Sequence, residues 1–523
     1  MRNALCILLG AAGLWLGFPN PVVQLPLLAL AYPLALLLLG LGAPGRWPAF
    51  RVGWLTGIAG SSACLYWLAL PVHEYGQLPW ALAVPCAVAI GAYVGLYAGQ
   101  FCLLAHLTRD RLTPFRRGLF LGCAWLLLEM LRGVFLTGFP WLVLSAAFAP
   151  WPVAVQGASL VGAYGLSGLL VAVVCWAMGA MAPECGLHCP GARRSVTPSS
   201  LAQTLACALG ASLVAFGLVG YGAYTLSRGL PKDGEPFRVA LVQGNIDQDQ
   251  KWEPAFQRAT VERYLSLSKD AVSAGHPAFI VWPETAMPFY FQEHKEFGPA
   301  IRAFAAANRT PVLIGTPGYV NAPVKRGFLL YNRAMLVDEA GGDAGHYDKE
   351  HLVPFGEYAP PGLDMPFLET LMQGVGDFTP GAAVAPLRLG NLALGILICY
   401  ETIFPELAQQ RVADGANVLV NISNDAWFGT TAAPEQHLQL SVLRAVEQGR
   451  YVLRGTNTGI SAIIDPQGRI AERGGLFRAE VIGGMATARA ETTVFHRVHH
   501  LVWPVALGLA AAALLLPTRR RRA

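Results

Sequence analysis

Charged residues are scarce in this chain of 523 residues. Asp, Glu, Lys and Arg together make up 14% of it, whereas hydrophobic residues make up 54%, and the mean hydropathy is positive. These values lie outside the range of an ordinary soluble enzyme. The basic residues do not form the stripe that binds nucleic acid, so no nucleic-acid partner is expected. The composition indicates a membrane protein with a further domain attached.

Cysteine is almost absent from the second half of the chain. Nine of the ten cysteines precede residue 208, and the tenth is Cys399, in the stretch LALGILICYETIFPE. A domain with one thiol cannot form an internal disulfide. Cys399 is therefore either an inert core residue or a nucleophile, and a lone buried cysteine is more often inert. The residues around Cys399 are therefore needed to distinguish an inert cysteine from a nucleophile.

Apolar runs near the length of about 20 residues that a helix needs to cross a bilayer fill the first part of the chain. The runs cover approximately residues 4–18, 23–42, 53–72, 80–107, 118–138, 157–182 and 203–225, and an eighth covers 500–517. The first run lacks a clear cleavage site and leads directly into further spans, so it is not interpreted as a signal peptide. We predict about eight transmembrane helices, seven within residues 1–228 and one within residues 496–523.

The arginine distribution predicts the orientation of these helices, because short basic loops stay in the cytoplasm. Thirteen arginines fall at the two termini and in alternate loops, and one falls in the remaining loops. The thirteen are Arg2, Arg46, Arg51, Arg109, Arg111, Arg116, Arg117, Arg193, Arg194 and Arg519 to Arg522, and the one is Arg132. Both termini are therefore expected in the cytoplasm, and seven crossings place residues 229–495 outside it.

The segment 229–495 has a different pattern of apolar residues. Short β-rich runs recur there, namely RVALVQGNI, AFIVWPE, PVLIGTPGY, AMLVDEAG, LALGILICYE, NVLVNISND and ISAIIDPQG. Helical patterns lie between several of them, as in EQHLQLSVLRAVEQGRYVL, where apolar residues recur at helix spacing. Buried strands interleaved with helices predict a layered α/β domain.

A candidate metal cluster lies in the linker before the seventh apolar run. Cys185, His188 and Cys189 provide three candidate ligands without a fourth, in a segment rich in Pro, Gly and Arg. Structural zinc sites use four ligands, so this cluster is interpreted as incidental and no metal is expected.

Three polar residues follow three of the predicted strands. Glu284 follows FIVWP, Lys349 lies in HYDKEHLVPFGEY and Cys399 follows GILI. Strand ends at one edge of an α/β sheet converge, so these residues can share a pocket. A desolvated Glu284 could take the thiol proton, and Lys349 with the Tyr400 backbone N–H could stabilise an oxyanion. Together they are sufficient for acyl transfer through a thioester.

These motifs resemble those of a known family. FIVWPET, DKEHLVPFGEY and CYE resemble the signature of the nitrilase (carbon–nitrogen hydrolase) superfamily, an αββα sandwich with a Glu-Lys-Cys triad. With the spans and the phrases LVQGNI, NISNDAWFG and RGTNTGISAIID, the chain is more similar to the apolipoprotein N-acyltransferase family. The architecture matches over nearly the whole chain, and the specific motifs lie between Val239 and Asp465.

The resemblance implies a two-step reaction without a cofactor. Cys399 would take an acyl chain from a phospholipid such as phosphatidylethanolamine, with Glu284 as general base and acid. The α-amino group of S-diacylglyceryl-cysteine, at the N-terminus of an apolipoprotein, would then attack the thioester. The location implied is a bacterial inner membrane, with the catalytic domain in the periplasm.

Further residues are implied by the same match. Glu357 corresponds to a second essential glutamate, Tyr400 and Glu401 flank the nucleophile, and Trp252 belongs to a loop near the pocket. The aromatic-rich patches 289–291, 367–372 and 426–428 could form a lid that dips into lipid, or they could be ordinary core. Trp427 and Phe428 are the better lid candidates.

Two alternatives remain, one a different enzyme and one without enzymatic activity. A membrane-tethered amidase that hydrolyses a small amide would use the same triad, but tethering requires one helix rather than eight. A transporter or ligand-binding receptor would carry charges deep in several spans and a broken triad. The spans here are nearly free of central charges and the triad is complete, which favours the acyltransferase.

Overall fold

The computed structural model describes residues 2–181, 198–230, 234–324, 327–358 and 377–515. The chain divides into two units. One contains Met1–Ala69, Trp80–Gly229 and Val494–Ala523, and the other contains Leu70–Pro79 and Leu230–Thr493.

The first unit is helical. Within the described residues, five helices are long and apolar enough to cross a membrane: Trp80–Thr108, Pro114–Thr137, Ala158–Met181, Leu201–Ser227 and Val494–Leu515. A sixth span results if Arg46–Cys64 and Tyr66–Glu74, which are bent by 66°, act as one. The apolar helices Arg2–Gly17 and Pro26–Gly42 are shorter. Apolar helices are thus present as predicted, but the number eight is not confirmed, because two of the runs form helices below the usual spanning length and one is broken.

Within its described residues, the second unit contains two six-stranded sheets. In chain order the strands are β1 Pro236–Gln243, β2 Phe279–Val281, β3 Val312–Asn321, β4 Phe328–Val337, β5 Asp343–Asp348, β6 Leu387–Leu389, β7 Leu392–Ile398, β8 Val418–Ser423, β9 Val452–Thr456, β10 Ala462–Ile464, β11 Ile470–Arg473 and β12 Glu480–Thr487. The first sheet has the order β12-β1-β2-β3-β4-β5, and the second has the order β11-β10-β9-β8-β7-β6. Each sheet contains three adjacent parallel strands, β1-β2-β3 and β7-β8-β9.

The two faces of the first sheet contribute to different buried cores, because successive residues of a strand point to opposite faces. Val239 and Leu241 of β1 belong to one buried core together with Ile396 and Ile398 of β7. Ala240 and Val242 of β1, which point to the other face, belong to a second core that includes helix residues such as Val261 and Ile301. The order helix, sheet, sheet, helix follows, and it agrees with the predicted layered α/β domain.

In the part of the unit that the structure describes, four longer helices accompany the two sheets. They are Pro254–Gly275, Phe297–Asn308, Pro405–Ala413 and Ala433–Gln448. The helical pattern beginning EQHLQLS ends earlier than its sequence suggests, because Gly449 adopts a φ of +61°. The residues that follow form β9 instead, since left-handed backbone after a helix terminates it.

Candidate active site

Cys399 lies at a sharp turn between a strand and a short helix. It follows β7 directly and begins the 3-10 helix Cys399–Ile403. Its φ is +53°, which is unusual for a residue other than glycine. The side chain is half-buried and packs at the margin of the core between the sheets. Backbone strain of this kind clusters at functional sites, where the surrounding structure has to hold it.

Glu284 lies beyond β2 with both carboxylate oxygens engaged. Its Oε1 accepts a hydrogen bond from Asn332 Nδ2 at 2.7 Å, and its Oε2 accepts one from the Asn424 backbone N–H at 2.8 Å. Gly315 of β3 lets this turn pack closely, since a Cβ there would lie 2.2 Å from the carbonyl oxygen of Pro283. The side chain is therefore buried and fixed in one orientation.

Lys349 directly follows β5 and is 1% exposed. Its Nζ lies 2.8 Å from Glu357 Oε2 and 3.6 Å from Glu284 Oε1. Burial opposes the charged form, but Glu357 and then Glu284 outweigh it, so the pKa of Lys349 is raised. Lys349 is a permanent ammonium at neutral pH.

The Cys399 thiol interacts electrostatically with both of these charged groups. Burial raises the pKa of Cys399, Glu284 raises it further, and Lys349 lowers it. The thiol is therefore protonated at neutral pH, and its proton has to leave during attack on a substrate. The structure thus brings together Glu284, Lys349 and Cys399, the three residues that the sequence predicted to share a pocket. Glu284 and Cys399 follow predicted strands, whereas the strand before Lys349, β5, was not among the predicted runs.

Glu357 is joined to the site by Asn332 of β4. The Asn332 amide donates to Glu357 Oε1 at 2.8 Å as well as to Glu284 Oε1. The Val353 backbone N–H donates to Glu357 Oε2 at 2.8 Å. Asn332 was not predicted from the sequence. The available signal was a polar residue shortly before the predicted strand AMLV.

Glu401 connects the nucleophile turn to the lysine segment. Its Oε2 accepts a hydrogen bond from the Ile398 N–H at 2.6 Å, and its Oε1 accepts from the N–H groups of Glu350 and His351 at 2.8 and 3.0 Å. Tyr347 also donates to Oε1 at 2.7 Å. One fully buried carboxylate therefore sets the spacing between the two segments that carry Cys399 and Lys349.

Tyr400 contributes an aromatic side chain to the same turn. Its ring centroid lies 5.1 Å from that of Phe404 and 5.8 Å from that of His351. The side chain is buried and packs against these two rings. The backbone N–H of Tyr400 belongs to the peptide unit that follows the nucleophile.

A second lysine of the site, Lys251, was not predicted from the sequence. It is 1% exposed, and its Nζ lies 3.4 Å from the backbone oxygen of Glu284. Burial lowers the pKa of Lys251 to about 8, against opposing contributions from Glu284 and Cys399. Its neighbour Trp252, the predicted residue in this loop, is 49% exposed. The motif QKWEP contains both residues, but the sequence led to a prediction for Trp252 and not for Lys251.

The aromatic patches differ in their surroundings. Phe289 and Phe291 are buried in the core beneath the first sheet, whereas Tyr290 is exposed. Trp427 and Phe428 are half-buried, and the Trp427 ring lies edge-to-face with Tyr75 at a centroid distance of 4.5 Å. The patch 367–372 lies outside the described residues.

The predicted cluster of Cys185, His188 and Cys189 also lies outside the described residues. Among the residues that the structure describes, no group of three His, Cys, Asp or Glu side chains is placed to hold a metal ion.

This arrangement combines three groups that acyl transfer through a thioester can use. A thiol lies beside a buried carboxylate that can take and return a proton. A fixed ammonium lies where it can stabilise a developing oxyanion.

Comparisons with known proteins identify two matched regions. A family model described as carbon–nitrogen hydrolase matches residues 238–488, and one described as apolipoprotein N-acyltransferase N-terminal domain matches residues 10–176. Among solved structures, the chain is similar to a nitrilase-superfamily protein of Saccharomyces cerevisiae, with 20% identity, 56% of this chain and 100% of that chain covered, and a TM-score of 0.38.

Two curated relatives extend the match to nearly the full length. Apolipoprotein N-acyltransferase of Geobacter metallireducens is 37% identical, with 99% of this chain and 96% of that protein covered. Apolipoprotein N-acyltransferase of Pseudomonas aeruginosa is 34% identical, with 95% of this chain and 91% of that protein covered. The chain therefore belongs to the apolipoprotein N-acyltransferase family.

Proposed function

We propose that this chain is a membrane-bound acyltransferase that completes lipoprotein maturation. It moves a fatty acyl chain from a phospholipid, through a thioester on Cys399, to the N-terminal α-amino group of an S-diacylglyceryl-cysteine. The observation that carries the proposal is the convergence of Cys399, Glu284 and Lys349 in a chain whose N-terminal region matches the apolipoprotein N-acyltransferase model.

In the first half-reaction Glu284 takes the proton of Cys399 as the sulfur attacks an ester carbonyl carbon of the phospholipid. Lys349 and the Tyr400 N–H stabilise the resulting oxyanion. The carbon–oxygen bond then breaks, and Glu284 returns its proton to the departing lysophospholipid oxygen. Because the Cys399 pKa is raised, proton transfer accompanies attack and no resting thiolate is required.

In the second half-reaction the free α-amino group attacks the thioester carbon. Glu284 takes a proton from this nitrogen, the carbon–sulfur bond breaks, and the sulfur recovers a proton. An amide and the free enzyme result. Side chains of this chain handle every proton and charge in both steps, so neither a cofactor nor a metal enters the proposal.

Glu357 and Glu401 have supporting tasks in this scheme. Glu357 keeps Lys349 charged, since it is the larger of the two carboxylate contributions that raise the lysine pKa. Glu401 holds the Cys399 turn and the Lys349 segment at a fixed separation through its buried hydrogen bonds.

The donor is proposed to be a phospholipid resembling phosphatidylethanolamine, and the acceptor a diacylated apolipoprotein. Both are held in lipid. A soluble enzyme would have to expose their acyl chains at about 0.8 kcal/mol per CH₂ group. Placing the pocket at the bilayer surface avoids that cost, which explains why the catalytic domain is joined to apolar helices.

For the membrane arrangement we propose eight spans within the domains 1–228, 229–495 and 496–523. The short apolar helices Arg2–Gly17 and Pro26–Gly42 and the bent pair then each cross once, in addition to the five longer helices. Both termini lie in the cytoplasm, and the membrane is a bacterial inner membrane. The relatives from Geobacter and Pseudomonas support a bacterial location.

The segment Leu70–Pro79 supports an extracytoplasmic catalytic domain. It clusters with the sheet-containing unit, and its Tyr75 packs against Trp427. Arginines lie at the start of the helix before this segment and after the end of the helix that follows it, namely Arg46, Arg51, Arg109 and Arg111. The segment therefore connects those ends of the two helices that carry no arginine. By the positive-inside rule, these ends lie outside the cytoplasm.

The test uses the purified full chain in detergent with a phospholipid labelled in its acyl chains. Label is expected on Cys399 by mass spectrometry of the isolated peptide, and it should move to the amino group of a diacylated lipopeptide added afterwards. Cys399→Ala should take no label, whereas Cys123→Ala, a control in the helical unit, should behave as wild type. Release of the label only as free fatty acid would favour an amidase-like hydrolase. Absence of labelling in the wild type would favour a binding protein.

A further inference from the structure

The peptide unit between Cys399 and Tyr400 is held by two side chains from neighbouring elements. The Cys399 carbonyl oxygen lies 3.2 Å from His437 Nε2, in the helix Ala433–Gln448. Asn421 Nδ2 of β8 lies 3.4 Å from the same oxygen. On the other side of the nucleophile, Glu401 accepts a hydrogen bond from the Ile398 N–H. The strained residue Cys399 is thus anchored before and after its α-carbon.

Fixing this carbonyl also fixes a backbone donor. A peptide unit is planar and almost always trans, so its C=O and N–H point in opposite directions. The N–H partner of the Cys399 carbonyl is that of Tyr400. A hydrogen bond on the carbonyl oxygen therefore sets the direction of the Tyr400 N–H, and it polarises the unit so that this N–H is a stronger donor.

His437 is itself held by a buried ion pair. Arg454 Nη2 lies 3.0 Å from His437 Nδ1 and 2.6 Å from Asp425 Oδ2. Asp425 Oδ1 accepts a hydrogen bond from Ser423 at 2.8 Å and lies 3.1 Å from His437 Nδ1. The side chains of His437, Asp425 and Arg454 are all at most 1% exposed. The imidazole therefore has little freedom to rotate.

The charges around His437 favour its neutral form. Burial and Arg454 lower the pKa of His437, and Asp425 opposes them. In the tautomer with the proton on Nε2, Nδ1 accepts from Arg454 and Nε2 donates to the Cys399 carbonyl. A proton on Nδ1 would instead be donated to Asp425 Oδ1, so the contact with the Cys399 carbonyl depends on a proton at Nε2.

We propose that His437 is a positioning residue for the oxyanion site, acting through the Cys399–Tyr400 peptide unit. Asp425 and Arg454 hold the imidazole, the imidazole holds the carbonyl, and the carbonyl aims the Tyr400 N–H at the oxygen that becomes negative. The inference rests on the proposed acyl transfer for its place in the reaction. The inference assigns a supporting role in the proposed active site to His437, which lies 38 positions after the nucleophile.

Two reactions of Cys399 separate this role from a merely structural one. Alkylation by iodoacetamide needs the sulfur but forms no oxyanion, whereas acylation by a p-nitrophenyl fatty ester needs both. In His437→Phe the acylation rate constant should fall by about tenfold to a hundredfold, somewhat below the loss caused by removing an oxyanion donor outright. The alkylation rate should be unchanged. His437→Gln, whose amide can still donate to the carbonyl, should recover part of the acylation rate.

Ser441→Ala is the matched control, because Ser441 is buried one turn further along the same helix. It should leave both reactions at the wild-type rate. If alkylation and acylation fall together in both His437 variants, the residue is only structural and the proposal is wrong. Wild-type rates of both reactions in His437→Phe would also overturn it.

The p-nitrophenyl ester keeps this test independent of the phospholipid reaction. A wild-type enzyme that accepts acyl chains from the ester but not from phospholipid would overturn the proposed function. The comparison of alkylation with acylation in the His437 variants would still confirm or refute the positioning role.

Discussion

The Lys349 ammonium is paired more closely with Glu357 than with Glu284, at 2.8 Å against 3.6 Å. This asymmetry divides the work between the two carboxylates. Glu357 supplies the larger contribution that keeps the lysine protonated against burial. In the proposed reaction, Glu284 can then change its own protonation without removing the charge of the lysine.

Replacing Glu357 by Gln should move the alkaline limit of activity to lower pH. Glu357 raises the pKa of Lys349 and burial lowers it, so removal of the carboxylate lets the lysine lose its proton at a lower pH. Below this new limit Lys349 remains charged, and above it the oxyanion loses its counter-charge. The measurement is the pH dependence of acyl-enzyme formation. A uniform loss at every pH, with the alkaline limit unmoved, would contradict this electrostatic role.

Replacing Glu284 by Gln should separate two properties of Cys399. The carboxylate raises the pKa of the thiol, so its removal should increase the thiolate fraction and speed alkylation of Cys399 by iodoacetamide at pH 8. Acyl transfer should nevertheless be lost, because the proton acceptor and donor is gone. Lys349→Met should have the opposite effect on alkylation, since Lys349 lowers the thiol pKa. Slower alkylation in the Gln variant would show that the sign assigned to Glu284 is wrong.

Lys251→Met tests the cost of a second buried ammonium. The pKa of Lys251 is about 8 in the folded state, against an ordinary value of 10.5. A lowered lysine pKa destabilises the fold below the folded value, and the penalty disappears as the pH rises to the unfolded value. The variant should therefore gain stability at pH 7, by on the order of 3 kcal/mol before any loss of packing. The gain should shrink at pH 10.

The measurement for Lys251 is the Tm of the detergent-solubilised protein relative to wild type at both pH values. Lys269→Met is the control, because Lys269 is an exposed lysine of the helix Pro254–Gly275. A difference that is the same at pH 7 and pH 10 would show that the ammonium is not penalised.

Replacing Glu401 by Gln should loosen the link between nucleophile and lysine. The carboxylate accepts from three backbone N–H groups and from Tyr347, and an amide places an NH₂ group against some of these donors. A buried donor without an acceptor costs about 1–3 kcal/mol, so both stability and acylation should fall. Glu435→Gln removes an ion pair with Arg473 at the surface and should cost no more than about 1 kcal/mol. Equal Tm losses in the two variants would contradict the link.

The sequence predicted the chemistry where it follows a buried strand. FIVWPE and GILICYE each combine an apolar run with the polar residue that ends it, and this pattern can be recognised without a structure. Two of the strands that were missed, β5 and β11, lack it. The four residues of β11 are all exposed, and β5 is a mostly polar stretch, so neither shows apolar alternation.

The supporting residues were hidden for a different reason. Asn332, Lys251 and His437 come from segments that are distant in sequence, and each is polar at a site where folding buries it. Their partners are defined only by the way the two sheets meet. The path of the helical region was also not predictable from the sequence. The mean hydropathy of residues 53–72 does not indicate the 66° bend between Cys64 and Tyr66.

The contact between Tyr75 and Trp427 leads to a prediction about protection of the thioester. The two rings lie edge-to-face at 4.5 Å, and such pairs contribute about 0.5–1.5 kcal/mol beyond burial. If Trp427 helps to cover the acyl-enzyme, Trp427→Ala should raise the ratio of free fatty acid released to acyl chain transferred. Tyr75→Ala should raise it by a smaller factor, up to about tenfold, because Trp427 remains but loses its support.

The double variant distinguishes a shared role from two separate ones. Residues in direct contact are non-additive, so Tyr75→Ala should add little once Trp427 is absent. The measurement is the partition of label between fatty acid and a diacylated lipopeptide, starting from an enzyme acylated at Cys399. Tyr224→Ala is the control, because Tyr224 is an exposed aromatic of the helical unit and lies outside the candidate lid patches. Multiplicative effects of the two substitutions would show that Tyr75 does not act through Trp427.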